Sequence, residues 1–255
     1  MQALVLCGGF AKRLEPIGEF VPKALLTLNG IPLIEYILND LEKQKEISSI
    51  IVSTNKKFEN QFRYWLKLRQ RAGLSKNVRL VVEPSTSNEN KFGAVKGIFF
   101  DITKARVNDD LLIIAGDNFF TFNLPSLISR MSKLGNPSII AYDIRSKDKA
   151  KRFGVIEAGP GGIIKEFEEK PDRPKSSLIS TGIYFIHKPY LSKFKEYLEQ
   201  TNNGDDLGNF IKWLKDQVPV HAIIPGSGEW FDIGTIDGYR EIFSKQEKIA
   251  KKKSK

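Results

Sequence analysis

A single cysteine, Cys7, cannot close a disulfide within the chain, and that scarcity agrees with a reducing compartment. No apolar run approaches the ~18 residues that a membrane span needs. The opening stretch MQALVLCGG is too short an apolar run for a secretory leader and has no basic start. A soluble, cytoplasmic protein without a membrane partner is expected. Histidine is nearly missing as well. His187 and His221 have no second histidine or cysteine at ligand spacing, so both read as structural. No Ser-His-Asp or Cys-His set is apparent. Two common nucleotide signatures are also lacking. Gly8-Gly9 does not have the spacing of a Rossmann fingerprint, and no acidic residue closes the second apolar run at Ser53-Thr54. No G-K-[ST] follows the glycines, which excludes a Walker P-loop.

What is present suits a globular α/β protein. Of the 255 residues, 41% are hydrophobic, enough to bury a full core. The net charge is +10, and residues 244–255 hold six lysines against one glutamate. That segment reads as a helix end passing into a solvated tail. It has no aromatic residue for base stacking, so a nucleic-acid partner is not expected. The remaining excess suits a protein that handles small polyanions.

The first half alternates apolar runs with helical periodicity. Gln2–Leu6 reads as a strand ending in Gly8-Gly9. Residues 32–45 carry Ile34, Ile37, Leu38 and Leu41 on one helical face, with Pro32 in the first turn. Strands follow at 49–53, 78–82, 111–115 and 138–142, and helices at 58–71 and 124–134. Strands separated by helices predict a parallel sheet covered on both faces. The second half reads differently. Residues 153–158 and 163–168 flank Gly159-Pro160-Gly161-Gly162 as a hairpin. A strand is expected at 179–186, helices at 189–199 and 207–216, short strands at 218–224 and 229–231, and a closing helix at 236–250. There is no internal repeat and no linker long enough to separate two units. The expected organisation is one domain over 1–250, with halves 1–145 and 146–250, followed by a basic tail at 251–255.

Four places carry chemistry. The first is the strand-to-loop junction Leu6 to Leu14, where Gly8 and Gly9 let backbone N–H groups approach a phosphate. Arg13 and, ten residues later, Lys23 bracket that turn and suit a triphosphate, as a bidentate fork and a point charge. The second is Gly116-Asp117-Asn118, just beyond an apolar strand. Open parallel sheets bind ligands at such strand ends, and Asp117 is a natural Mg²⁺ ligand there. The third is Asp232, readable either as a second metal carboxylate or as a helix cap. The fourth is Glu169-Lys170, readable as a pair for sugar hydroxyls and phosphate or as an ordinary strand end. No general base is required by phosphate chemistry of this kind. A phosphomonoester oxygen is already anionic, so positioning and charge neutralisation suffice.

Taken in order, the stretches GGFAKRLEP (8–16), PKALL (22–26), GIPLIEYIL (30–38), NENKFGAVKGI (88–98), GDN (116–118), FGVIE (153–157), FEEKP (167–171), STGIYF (180–185) and WFDIGT (230–235) are together specific. The chain resembles the sugar-1-phosphate nucleotidylyltransferases, which include glucose-1-phosphate thymidylyl- and uridylyltransferases. The resemblance implies a Rossmann-like three-layer α/β sandwich with a mixed, mostly parallel central sheet. It implies in-line attack of a sugar 1-phosphate, glucose 1-phosphate first, on the α-phosphate of UTP or dTTP, with Mg²⁺ as cofactor. Leu6, Gly8, Gly9, Arg13, Glu83, Gly93 and Asp117 would line the nucleotide. Arg13, Lys23 and Asp117 would carry catalysis, and Asp117 and Asp232 the metal. Gly154, Glu169, Lys170 and Gly182 would line the sugar phosphate. The family's usual third glycine is Ala11 here, and its threonine is Lys12. Glu83 stands near the position of a glutamine that pairs with pyrimidines. As a carboxylate it only accepts hydrogen bonds, which suits guanine better. A cytidylyl- or guanylyltransferase with another acceptor, a silent nucleotide-sugar-binding subunit, and a homo-oligomer remain open.

Overall fold

The computed structural model describes residues 1–73, 77–234, 238–240 and 242, apart from the Arg13 side chain. From the N-terminus run β1 (Gln2–Leu6), α1 (Ile17–Phe20), β2 (Thr27–Leu28), β3 (Ile31–Pro32), α2 (Leu33–Glu42), β4 (Ser49–Asn55), α3 (Glu59–Arg71), β5 (Val78–Glu83), α4 (Ala94–Lys104), β6 (Leu111–Ala115) and β7 (Asn118–Phe120). They are followed by α5 (Leu124–Ser132), β8 (Ser138–Asp143), α6 (Lys147–Ala150), β9 (Gly154–Ala158), β10 (Ile164–Glu169) and β11 (Leu178–Ile186). The last are α7 (Ser192–Thr201), α8 (Leu207–Lys215), β12 (His221–Ile223) and β13 (Trp230–Asp232). No helix among the described residues is long and apolar enough to cross a membrane.

The sequence of side chains along each central strand explains the layering. On β1, Ala3 and Val5 face one core and Leu4 the other. On β6, Leu112 and Ile114 alternate with Leu111 and Ile113 in the same way. Side chains on a strand alternate faces, so an unbroken apolar run requires cover on both sides. Ile34, Ile37 and Leu38 of α2, Phe62 of α3 and Ile128 of α5 supply it on the first face. Ile98 of α4, Phe194 of α7 and Phe210 of α8 supply it on the second.

The main sheet runs β10-β9-β11-β6-β1-β4-β5, with β8 paired to β11 and β12. β1, β4, β5 and β6 are parallel, as expected of the first half. The second half extends the same sheet through β11, which is antiparallel to β6, and β8 and β9 in turn lie antiparallel to β11. Two expectations need correction. β8 runs in the direction of the first-half strands but does not pair with them, because antiparallel β11 lies between it and β6. And α4 was not foreseen, because its buried face carries Gly97 and Asp101 where an amphipathic pattern has apolar residues. The closing helix expected at 236–250 falls mostly outside the described residues; 238–240 and 242 are helical.

Candidate active site

The parallel strands β1 and β6 end side by side, and their loops form one wall of a cleft. Gly116 N–H donates to the Leu6 carbonyl at 2.9 Å, which ties the two strand ends together. Beyond β1 the chain turns through Gly8 and Gly9. The Asn55 amide, at the end of β4, donates to the Gly8 carbonyl at 2.8 Å and orients the turn. Ala11 adopts the left-handed conformation, with φ 52°. For a residue with a Cβ this costs roughly 1–2 kcal/mol. Arg13 lies in the single turn Lys12–Leu14, but its side chain is outside the described residues. Lys23 opens another short turn, Lys23–Leu25, and its Nζ donates to Asp117 Oδ2 at 3.1 Å. Leu6, Gly9, Lys23, Gly116 and Asp117 line a narrow hollow of about 60 Å³.

The second wall is a two-stranded ribbon that brings the far end of the chain back. β13 lies antiparallel to β7, with Asp232 opposite Asn118. Ile233 N–H donates to the Asp117 carbonyl at 3.1 Å. Asn118 is buried and ties three segments together. Its amide donates to the Thr181 carbonyl at 2.6 Å, and its Oδ1 accepts from the Trp230 indole at 3.2 Å. Asp117 and Asp232 consequently line one cavity of about 190 Å³. Among the described residues no group of three or more histidine, cysteine or acidic side chains gathers to hold a metal. Two carboxylates open to a cavity nevertheless fit Mg²⁺. That ion takes one or two protein carboxylates and fills its shell with phosphate oxygens and water.

The same cavity continues between β9, β10 and β11. Gly154, Glu169 and Gly182 line it together with Asp117 and Asp232. Gly182 sits where the pairing of β11 with β8 slips, and its φ of 79° suits glycine. A side chain there would crowd Ala115 and the Asn118 amide. Burial raises the Glu169 carboxyl above its ordinary range, and the Lys170 charge partly offsets this. Lys170 does not line the cavity. Its Nζ donates to Asp206 at 2.7 Å and lies 3.1 Å from Glu169, at the rim.

Glu83 lies at the end of β5, almost buried beneath Gly8. Gly93 caps the start of α4 with φ 79°, packed against Gly204 and Asp205. The two histidines lie outside these hollows, and His187 sits 3.3 Å from Asp110. Sequence reading passed over Asn55 and Arg152. Arg152 stands at the mouth of the cavity and also lines a larger hollow of about 550 Å³ behind Phe153 and Trp230. A cation directly before FGVIE was the available signal.

Residues 2–249 match the nucleotidyl transferase family, and the chain belongs to it. It is 30% identical over 254 residues to a glucose-1-phosphate adenylyltransferase of Clostridioides difficile, covering 92% of this chain and 64% of that one. It is 27% identical over 249 residues to a glucose-1-phosphate thymidylyltransferase of Neisseria meningitidis, covering 96% and 82%. A D-glycero-alpha-D-manno-heptose 1-phosphate guanylyltransferase of Campylobacter jejuni is 29% identical over 194 residues, covering 76% and 79%. Several of the relatives are longer, and the chain spans 62%, 51% and 64% of three of them. A crystal structure of UDP-glucose pyrophosphorylase with UDP-glucose shares the fold, with TM-score 0.78 at 18% identity, covering 97% of this chain and 98% of that one.

Proposed function

We propose that the chain transfers a nucleotidyl group from a nucleoside triphosphate to a sugar 1-phosphate and releases pyrophosphate. The observation that carries this is the meeting of Lys23, Asp117 and Asp232 between a glycine turn and the hollow of Gly154, Glu169 and Gly182. A triphosphate seated on the turn and a sugar phosphate in the hollow face each other across that carboxylate pair. Attack by a phosphate oxygen of the sugar forms a new bond to the α-phosphorus. The bond from that phosphorus to the bridging oxygen breaks, and pyrophosphate carries the charge away. No proton has to be removed from the nucleophile. Lys23 offsets charge gathering at the reacting phosphate. Asp117 and Asp232 would hold Mg²⁺, which supplies further charge neutralisation when bound. Arg13 is assigned to the departing pyrophosphate, and Glu169 and Lys170 to the acceptor.

Glucose 1-phosphate is the first acceptor to test, with UTP or dTTP as donor. A guanylyl donor is the second reading, supported by the carboxylate of Glu83 at the strand end beside the turn. A silent binding subunit is disfavoured by the joint presence of Lys23, Asp117 and Asp232 in one cleft. The test is a matrix of five triphosphates against several sugar 1-phosphates with Mg²⁺, read by pyrophosphate release. At least one pair turns over well above the rest. A matrix without pyrophosphate release would refute the reading.

A further inference from the structure

The cavity assigned to the acceptor is short of positive charge. Three carboxylates line it, Asp117, Glu169 and Asp232, and among the described residues Arg152 is the one cation that does so. A phosphate monoester brings a further charge of about −1.5 to −2 near neutral pH. Lys23 offsets Asp117 from the neighbouring narrow hollow. A Mg²⁺ ion on Asp117 and Asp232 would offset that pair. A phosphate lodged beside carboxylates still needs hydrogen-bond donors of its own.

Lys170 is poorly placed to supply them. Its Nζ is shared between Asp206 at 2.7 Å and Glu169 at 3.1 Å, outside the cavity lining. Two carboxylates already exceed its single charge. Arg152 differs. Among the described residues its guanidinium makes no hydrogen bond and no ion pair. It stands 5.5 Å from the centroid of the Phe153 ring. That ring meets Trp230 edge-on at 5.3 Å. Trp230 lies two residues before Asp232 on β13, so the two side chains share a face of the strand. Backbone bonds fix the segment as well. Phe153 N–H donates to the Ala150 carbonyl at 3.0 Å, and Lys170 N–H donates to the Phe153 carbonyl at 3.1 Å. Arg152 therefore has a fixed root and an uncommitted head at the mouth of the cavity.

We propose that Arg152 holds the phosphate of the acceptor as a bidentate fork, and that Lys170 is a positioning residue that sets Glu169 for the sugar hydroxyls. A planar guanidinium matches two phosphate oxygens at once, which an ammonium does not. The Glu169 carboxylate only accepts hydrogen bonds, so it suits hydroxyl donors and repels phosphate. The inference deepens the proposed function and rests on it.

The test is steady-state pyrophosphate release by the full chain with Mg²⁺, using the substrate pair that the matrix selects and inorganic phosphate as a competitor of the acceptor. Arg152→Ala should raise KM for the sugar 1-phosphate at least about tenfold, the worth of charged hydrogen bonds. KM for the triphosphate should stay within about twofold, since that substrate does not meet Arg152. Arg152→Lys, which keeps the charge and loses the fork, should recover part of the loss. The inhibition constant of inorganic phosphate should rise in Arg152→Ala and stay within about twofold in Lys170→Ala, where the sugar contact alone is disturbed. An unchanged acceptor KM in Arg152→Ala overturns the inference. So does a joint rise of both KM values, which marks a displaced loop, or a loss of phosphate inhibition that follows Lys170→Ala instead. If no pair in the matrix turns over, the functional reading itself fails and the phosphate anchor goes with it. Turnover that ignores Arg152→Ala removes the anchor alone.

Discussion

Asn118 holds the two halves of the cleft together through hydrogen bonds to both. It bonds the Thr181 carbonyl on one side and the Trp230 indole on the other, and all three residues are buried. Replacing it with leucine leaves a donor and an acceptor unpartnered in the interior. Such groups cost about 1–3 kcal/mol each. Asn118→Leu should lower the urea midpoint accordingly, and an unchanged midpoint would show that the bridge contributes nothing. Lys23 and Asp117 behave differently. Their side chains are 14% and 31% exposed, so their ion pair is a weak one that a dication and a polyphosphate can open.

At the scale of elements, the parallel strands were legible because their apolar runs are continuous. β1 and β6 are buried on both faces, and their short length and the glycines that follow them favour strands over buried helices. The hairpin of β9 and β10 was legible from the glycines between its strands. α4 was not, since its inner face gives up two apolar positions to Gly97 and Asp101, both used around Glu83. The β7–β13 ribbon was only half visible. Three-residue strands joined across 112 positions leave no local pattern, so the residues left Asp232 open between a second metal carboxylate and a helix cap, and the resemblance supplied the choice. The contact of α8 with β10 was also invisible. A Cβ on Gly208 would stand 1.8 Å from Glu169 Oε2. Gly208→Ala should displace that carboxylate from the cavity and raise KM for the sugar phosphate roughly tenfold or more, given the sensitivity of such sites to small misplacements. An unchanged KM would separate Glu169 from acceptor binding.

For the molecule as a whole, two carboxyls pushed up by burial give stability a definite slope against pH. Glu83 and Asp101 hold their protons in the folded chain up to about 7 and about 8, whereas unfolded carboxyls release them near 4. Between those values the native state binds more protons than the unfolded one, so stability falls as pH rises. Their favourable contribution is complete below about 4 and is lost through about pH 7–8. Exposed carboxylates lowered by hydrogen bonds, such as Asp143, act in the opposite direction at lower pH. The urea midpoint should decline from about pH 5 to about pH 8.5. A double variant, Glu83→Gln with Asp101→Asn, should flatten that decline; persistence of the slope would place its origin elsewhere.

One comparison bears on everything above: pyrophosphate release in Mg²⁺ by the unmodified chain, Asp117→Ala and Asp232→Ala, using the triphosphate and sugar phosphate that the matrix selects. If the two carboxylates share one metal at the reacting phosphate, each substitution lowers turnover at least about 100-fold. Full turnover after either replacement would contradict the account.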